Sequence, residues 1–232
     1  VTAVRDGRAT ASGGTVWDRL VGQGPVIDQL QRAVAGDTTH AWLFTGPPGS
    51  GRSNAALAFA AALQCPEGGC GACGSCREVA ADSHPDVRVN RTEKLSLGVD
   101  EVRDLVRSSA LAPVRAGWQI LVVEDADRLT DHAANALLKA IEEPNARTIW
   151  LLCAPTAEDV LPTIRSRTRL VVLATPSVDD VAAFLQRVDG VEPEVASYAA
   201  RASQGHIGRA RALAREPETR ERRRRVVSIP GR

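Results

Sequence analysis

Two groups of residues have types and spacing that chemistry demands. The first is Leu43-Phe44-Thr45 followed by Gly46-Pro47-Pro48-Gly49-Ser50-Gly51-Arg52-Ser53. A short apolar run, then G-x-x-x-x-G, a basic residue and a hydroxyl, outlines a phosphate-binding loop, except that the pattern calls for lysine where Arg52 stands. Gly46, Gly49 and Gly51 let the backbone curl so that N–H groups converge on one anion, and a following helix adds its positive end. In such a loop the lysine reaches the β- and γ-phosphates and the hydroxyl, here Ser53, holds Mg²⁺. Arginine is longer, planar and rigidly forked, so it does not drop into the space of a compact ammonium. The expectation is a loop that folds as a P-loop and binds ATP and Mg²⁺ poorly or not at all. The competing reading is a Gly/Pro turn with no ligand, but the Ala-rich stretch from Asn54 to Leu63 supplies the helix that the motif requires.

The second group is Cys65-x4-Cys70-x2-Cys73-x2-Cys76, with Gly, Pro, Ala and Ser in between, small enough for the chain to wrap one ion. Four thiolates in tetrahedral array make a closed, structural zinc site with no open position for catalysis. An iron–sulfur cluster is the alternative because C-x2-C-x2-C opens a ferredoxin run, but the fourth cysteine lies upstream and the C-x3-C-P tail is missing. Disulfides are a further alternative. Cys153 sits inside an apolar run and reads as a core residue.

Two weaker signals follow. Glu124-Asp125 closes the apolar run Gln119–Val123. In P-loop ATPases an Asp at a strand end holds Mg²⁺ and an adjacent Glu orients the attacking water. Glu124 and Asp125 invert that order, and a solvated strand terminus is the reading the inversion favours. Arg165, Arg167 and Arg169 alternate just before the last apolar strand. Such a cluster is most often a solvated face, but beside a P-loop fold Arg167 could enter a neighbour's nucleotide site as an arginine finger.

These residues need elements to hold them. Apolar runs at Ala41–Thr45, Asp86–Asn90, Gln119–Val123, Ile149–Cys153 and Leu170–Leu173 read as strands, and the stretches between them space their apolar residues at three and four. Helical spacing begins at Val16, and Thr130 can cap a helix that Pro144 stops. Alternating strands and helices over 16–175 predict an α/β domain with a parallel sheet covered on both sides. A smaller helical domain follows over 176–219, opened by a Ser177/Asp180 capping box. Residues 1–15 read as a disordered leader and 220–232 as the start of a truncated C-terminal region.

Composition removes several classes. A net charge of +1 announces no nucleic-acid or membrane partner, and 3% aromatics argue against a base-stacking surface, which weakens the reading of a small zinc-bearing DNA-binding module. No run of about 18 apolar residues exists, so no membrane span is expected, and a cytoplasmic protein is the default.

His40 to Gly49, Cys73-Gly-Ser-Cys76, Asn135-Ala-Leu-Leu-Lys-Ala-Ile-Glu-Glu-Pro144, Ser166-Arg167 and the entry Val21-Gly22-Gln23 together resemble the clamp-loader subunits of bacterial DNA polymerase III over about residues 16–215. The resemblance implies an AAA+ P-loop module: a five-stranded parallel sheet, the zinc knuckle at 65–76 and a three-helix lid. It also implies gamma/tau and delta subunits as partners, with the sliding clamp and primed DNA reached through the assembly. The family holds a gamma/tau ATPase type and a delta-prime type. Here the ATP-handling places read Arg52-Ser53, Glu124-Asp125, Ala154-Pro155 and Gly208, while Arg167 is kept, although Thr168 replaces the family's cysteine. That pattern resembles the delta-prime type, with little hydrolysis of its own and a finger for a neighbour. The alternative is a gamma/tau-type motor that tolerates Arg52.

Overall fold

Five strands, β1 (Ala41–Thr45), β2 (Val87–Asn90), β3 (Gln119–Val123), β4 (Thr148–Ala154) and β5 (Arg169–Val172), form one sheet in the order β2-β3-β4-β1-β5. Every pairing is parallel. The structure, a computed structural model, describes residues 14–215 apart from 37, 93 and 116.

The central strands are continuous apolar runs because both faces of the sheet are covered. Alternation along each strand divides the side chains between two cores. Trp42, Phe44, Ile120, Val122, Ile149 and Leu151 point into the first, with α1 (Gly24–Val34), α2 (Arg52–Gln64) and α3 (Gly74–Ala80). Leu43, Leu121, Val123, Trp150 and Leu152 point into the second, under α4 (Val99–Ser109), α5 (Asp131–Glu142) and the one-turn α6 (Pro162–Arg165). Helix α2 is apolar nearly all round, so it has no polar face to turn outward and is buried along its length. Its alanines allow close approach to the sheet, and Phe59 fills the remaining space, edge-on to Trp42 at 4.9 Å between centroids. That packing fixes the helix whose first turn follows the glycine loop.

Helices α7 (Val178–Asp189), α8 (Pro193–Ser203) and α9 (Ile207–Arg215) build a third core from Val181, Phe184, Leu185, Ala199, Ala210 and Leu213. Val21 joins this core from the other end of the chain. Beside it, the buried Gln23 amide pairs both ways with Ala174, donating from Nε2 to its carbonyl at 2.7 Å and accepting its N–H at 3.2 Å. Val21-Gly22-Gln23 thus joins the helical bundle to the end of the sheet.

Three local expectations need correction. The helical spacing from Val16 is not one helix: a 3-10 turn (Val16–Arg19) is separated from α1 by Gly22 at φ +68° and by Pro25 in α1's first turn. The leader expected over 1–15 mostly lies outside the described residues, but Thr15 belongs to the folded body. Its N–H donates to Asp18 Oδ2 at 2.7 Å, and the next residue, Val16, donates to Gly69 O at 3.0 Å. At the start of α7 the Ser177 hydroxyl accepts the Asp180 N–H (3.0 Å) as a cap should, but the Asp180 carboxylate takes the same hydroxyl's proton (2.7 Å) and not a backbone N–H. Ser177 is therefore an N-cap without the reciprocal half of a capping box. Thr130 caps α5 as expected, accepting from Ala133 N–H. The region expected over 220–232 lies outside the described residues.

Candidate functional site

The glycine loop leaves β1 at the carboxyl edge of the sheet, where parallel α/β folds place their ligands. Gly46 N–H donates to Pro155 O at 3.1 Å, which ties the loop to the end of β4. Gly46 (φ +152°) and Gly49 (φ +87°) need glycine for two reasons. Both occupy conformations that L side chains rarely adopt, and a Cβ would lie 2.5 Å from Leu173 O at Gly46 and 2.5 Å from the His206 ring at Gly49. Gly51, also at positive φ, is the N-cap of α2, and Arg52 and Ser53 form its first turn. The loop has the shape the spacing calls for.

Its occupants differ from those of an open phosphate site. The Arg52 side chain turns back and Nη1 donates to Gly46 O at 2.6 Å, which folds the guanidinium across the loop. From the helical bundle, His206 lies against Gly49, with Nδ1 accepting the Arg209 N–H at the start of α9. The cleft between the loop and α9 measures about 290 Å³, at the low end of the roughly 300–1,000 Å³ usual for ligand pockets. Gly208 lines it without a charge, and Arg211, one turn on, is held by both oxygens of Asp189 at 2.7 Å.

The acids after β3 are engaged as well. Glu124 accepts from Arg91 Nε at 3.1 Å, and Asp125 lies 3.8 Å from Arg128. Burial pushes the Glu124 carboxyl above its usual range against the pull of Arg91. Strand β4 lies between β3 and β1, so this pair is not directly beside the loop. Strand β4 ends at the buried Ala154, and Thr156 just beyond is taken by Asp159, which accepts both its N–H and its hydroxyl at 2.9 Å.

Arg167 follows α6 on the surface. Nη1 donates to Thr163 O (3.0 Å) and Ser166 Oγ (3.2 Å), while Nη2 pairs with Glu142 Oε1 at 2.9 Å.

The four cysteines come together. Cys65 ends α2, Cys73 caps α3 and Cys76 lies in its first turn, so the loop between two helices closes on itself. The sulfurs all lie within 4.8 Å of one another, with Cys65–Cys70 and Cys65–Cys73 at 3.7 Å. Metal–sulfur bonds of about 2.3 Å in a tetrahedron require edges of about 3.8 Å. Backbone N–H groups of Cys70, Cys73 and Cys76 donate to the sulfurs of Cys65, Cys70 and Cys73 at 3.5, 3.3 and 3.4 Å, which orients the sulfurs and favours their thiolate form. Burial raises the Cys65 thiol, but the backbone N–H groups of Cys70, Gly69 and Glu67, with the Cys70 thiol, outweigh it and bring the group to about 6. Soft donors, tetrahedral spacing and oriented N–H groups fit one zinc ion. Cys153 is fully buried in the first core, and burial pushes its thiol up, as suits an inert packing residue.

Sequence reasoning missed His206, Arg91 and Glu142. Arg91 had a signal, since a basic residue just past the strand preceding the acids can meet them if the two strands are neighbours. His206, just before α9, and Glu142, at the end of α5, carry no local signal that names their partners.

A five-stranded parallel sheet with a glycine loop, a cysteine knuckle and a helical bundle against the loop defines a P-loop module of the AAA+ type. RuvB, the Holliday junction branch migration motor of Thermotoga maritima, shares the fold at a TM-score of 0.59 and 19% identity, covering 85% of this chain and 62% of that one. A family model described as DNA polymerase III, delta subunit, matches residues 22–177, and the chain belongs to that family. It is 38% identical over 185 residues to the delta-prime subunit of DNA polymerase III from Escherichia coli K12, covering 77% of this chain and 55% of that protein. It is also 38% identical over 155 residues to the gamma/tau subunit from Mycobacterium tuberculosis H37Rv, covering 64% of this chain and 27% of that protein. The chain thus spans little more than half, or about a quarter, of these relatives' own length. Identity alone does not separate the two subunit types.

Proposed function

We propose that this chain acts as a delta-prime-type subunit of the DNA polymerase III clamp loader, helping to load the sliding clamp on primed DNA without hydrolysing ATP itself. Arg167 serves a neighbouring gamma/tau-type subunit as an arginine finger, the delta subunit completes the assembly, and Cys65, Cys70, Cys73 and Cys76 hold one structural zinc. The observation that carries this reading is Arg52 folded onto Gly46 O, in a loop whose Gly49 lies against His206. An arginine folded back onto its own loop is not extended toward a γ-phosphate as the motif's lysine would be, and Glu124 and Asp125 lie beside arginines. In contrast, Arg167 stands on the surface with its charge reachable from outside. No helix among the described residues is long and apolar enough to cross a membrane, which agrees with a role in a cytoplasmic assembly.

Calorimetry with MgATP tests the reading. No binding is expected at up to about 1 mM nucleotide, a free energy weaker than about −4 kcal/mol. Arg52→Lys is expected to leave hydrolysis undetectable, because Glu124, Asp125 and Ala154 remain as they are. Micromolar binding with turnover by the unaltered chain would make it a gamma/tau-type motor.

A further inference from the structure

In the free subunit the Arg167 guanidinium is already engaged within its own chain. Arginine recognises phosphate best with two parallel N–H groups. Both of its terminal nitrogens already have acceptors within this chain: Nη1 on Thr163 O and Ser166 Oγ, Nη2 on Glu142. Among those partners Glu142 alone is charged. Its position is set by packing, because Glu142 is the last residue of α5 and follows the buried Ile141. Arg167 is anchored in the same way, its N–H bonded to O of Ile164, which lies in the same core as Ile141. Two backbones fixed by one core thus bring the carboxylate and the guanidinium to 2.9 Å. The negative end of α5 lies beside the pair and favours the cation there.

We propose that Glu142 is the latch of the finger. It holds Arg167 folded against the end of α5, and the triphosphate of a neighbouring subunit displaces it. This rests on the reading of Arg167 as a finger. A single exposed carboxylate is a weak competitor, since pairs of this kind contribute little in water. A triphosphate brings several charges and bidentate geometry, so it takes Nη2 from Glu142. A diphosphate lacks the group the finger addresses, and the arginine returns to Glu142. Glu142 is a positioning residue under this proposal: it touches no nucleotide, and it makes the finger's engagement depend on what the neighbour holds.

The test uses the full-length protein and its ATPase partner subunit, with affinity read by fluorescence anisotropy. The partner is loaded with a non-hydrolysable ATP analogue or with ADP. Glu142→Gln is expected to tighten association about two- to fivefold with the analogue and not with ADP. Glu142→Asp, which keeps the charge, should fall back toward the unaltered protein. Arg167→Ala should erase the difference between nucleotides, and adding Glu142→Gln to it should change nothing further. A gain from Glu142→Gln that is equal for both nucleotides, or that survives in Arg167→Ala, overturns the latch and leaves the finger standing; so does no gain at all. An Arg167→Ala protein that still distinguishes the two nucleotides overturns the finger and the latch together.

Discussion

Alanine at Arg167 is expected to lower hydrolysis at the neighbouring subunit's site by about a thousandfold or more, the low end of what arginine fingers supply. The physical source is charge stabilisation. Negative charge spreads over the transferred phosphoryl group in the transition state, and a guanidinium in a water-excluded interface meets it without reorganising solvent. Lysine should rescue little, because it offers a point charge where the site uses a planar fork. The fold should be indifferent to the change, since Arg167 is exposed and its ion pair with Glu142 is of the kind that contributes about 1 kcal/mol or less. Single-turnover hydrolysis in the assembled complex, with melting temperature as the control, separates these effects. If Arg167→Ala turns over ATP at the unaltered rate while assembling normally, the finger belongs to another residue.

What the sequence made legible follows from the range of each signal. The strands were readable because a parallel sheet covered on both faces demands unbroken apolar runs, as at Gln119–Val123 and Thr148–Ala154. The cysteine cluster was readable because its ligands fall within one short loop, and the Thr130 cap because the bond it makes spans three residues. The contacts that set the state of the glycine loop are of another kind. Arg52 had a recognisable misfit, but the choice of Gly46 O as its partner is a rotamer decision that no spacing encodes. His206 reaches Gly49 because α7, α8 and α9 fold back over the sheet edge, a tertiary result with no local pattern behind it. The pairing of Arg167 with Glu142 likewise requires α5 and α6 to be packed into one core before their ends can meet. Short-range chemistry could be read in advance; the partners that modulate it could not.

Removing the metal ion is expected to have the other large effect. Structural zinc contributes roughly 10–16 kcal/mol in peptides that fold only around it. The knuckle's cysteines pack against the first sheet core alone and the second contains none of them, so the loss should be bounded by what the knuckle seats. That is still considerable. Cys76 and Val79 bury α3 in the first core, Trp17 Nε1 donates to Gly68 O, and Val16 N–H donates to Gly69 O. Cys73→Ser should therefore release α3 and the 3-10 turn together, costing more than about 4 kcal/mol, as loss of a metal site does. For a chain of this size that is a fall in melting temperature of about 8–16 °C. Metal analysis should find one zinc and no iron per chain, with the four knuckle thiols unreactive until a chelator is added. Absorption typical of an iron–sulfur cluster would replace zinc with the alternative metal. Four thiols missing from a denatured titration would mean disulfides. A Cys73→Ser protein that melts within about 2 °C of the unaltered chain would show that the packing of α2 against α3 holds the knuckle without any ion.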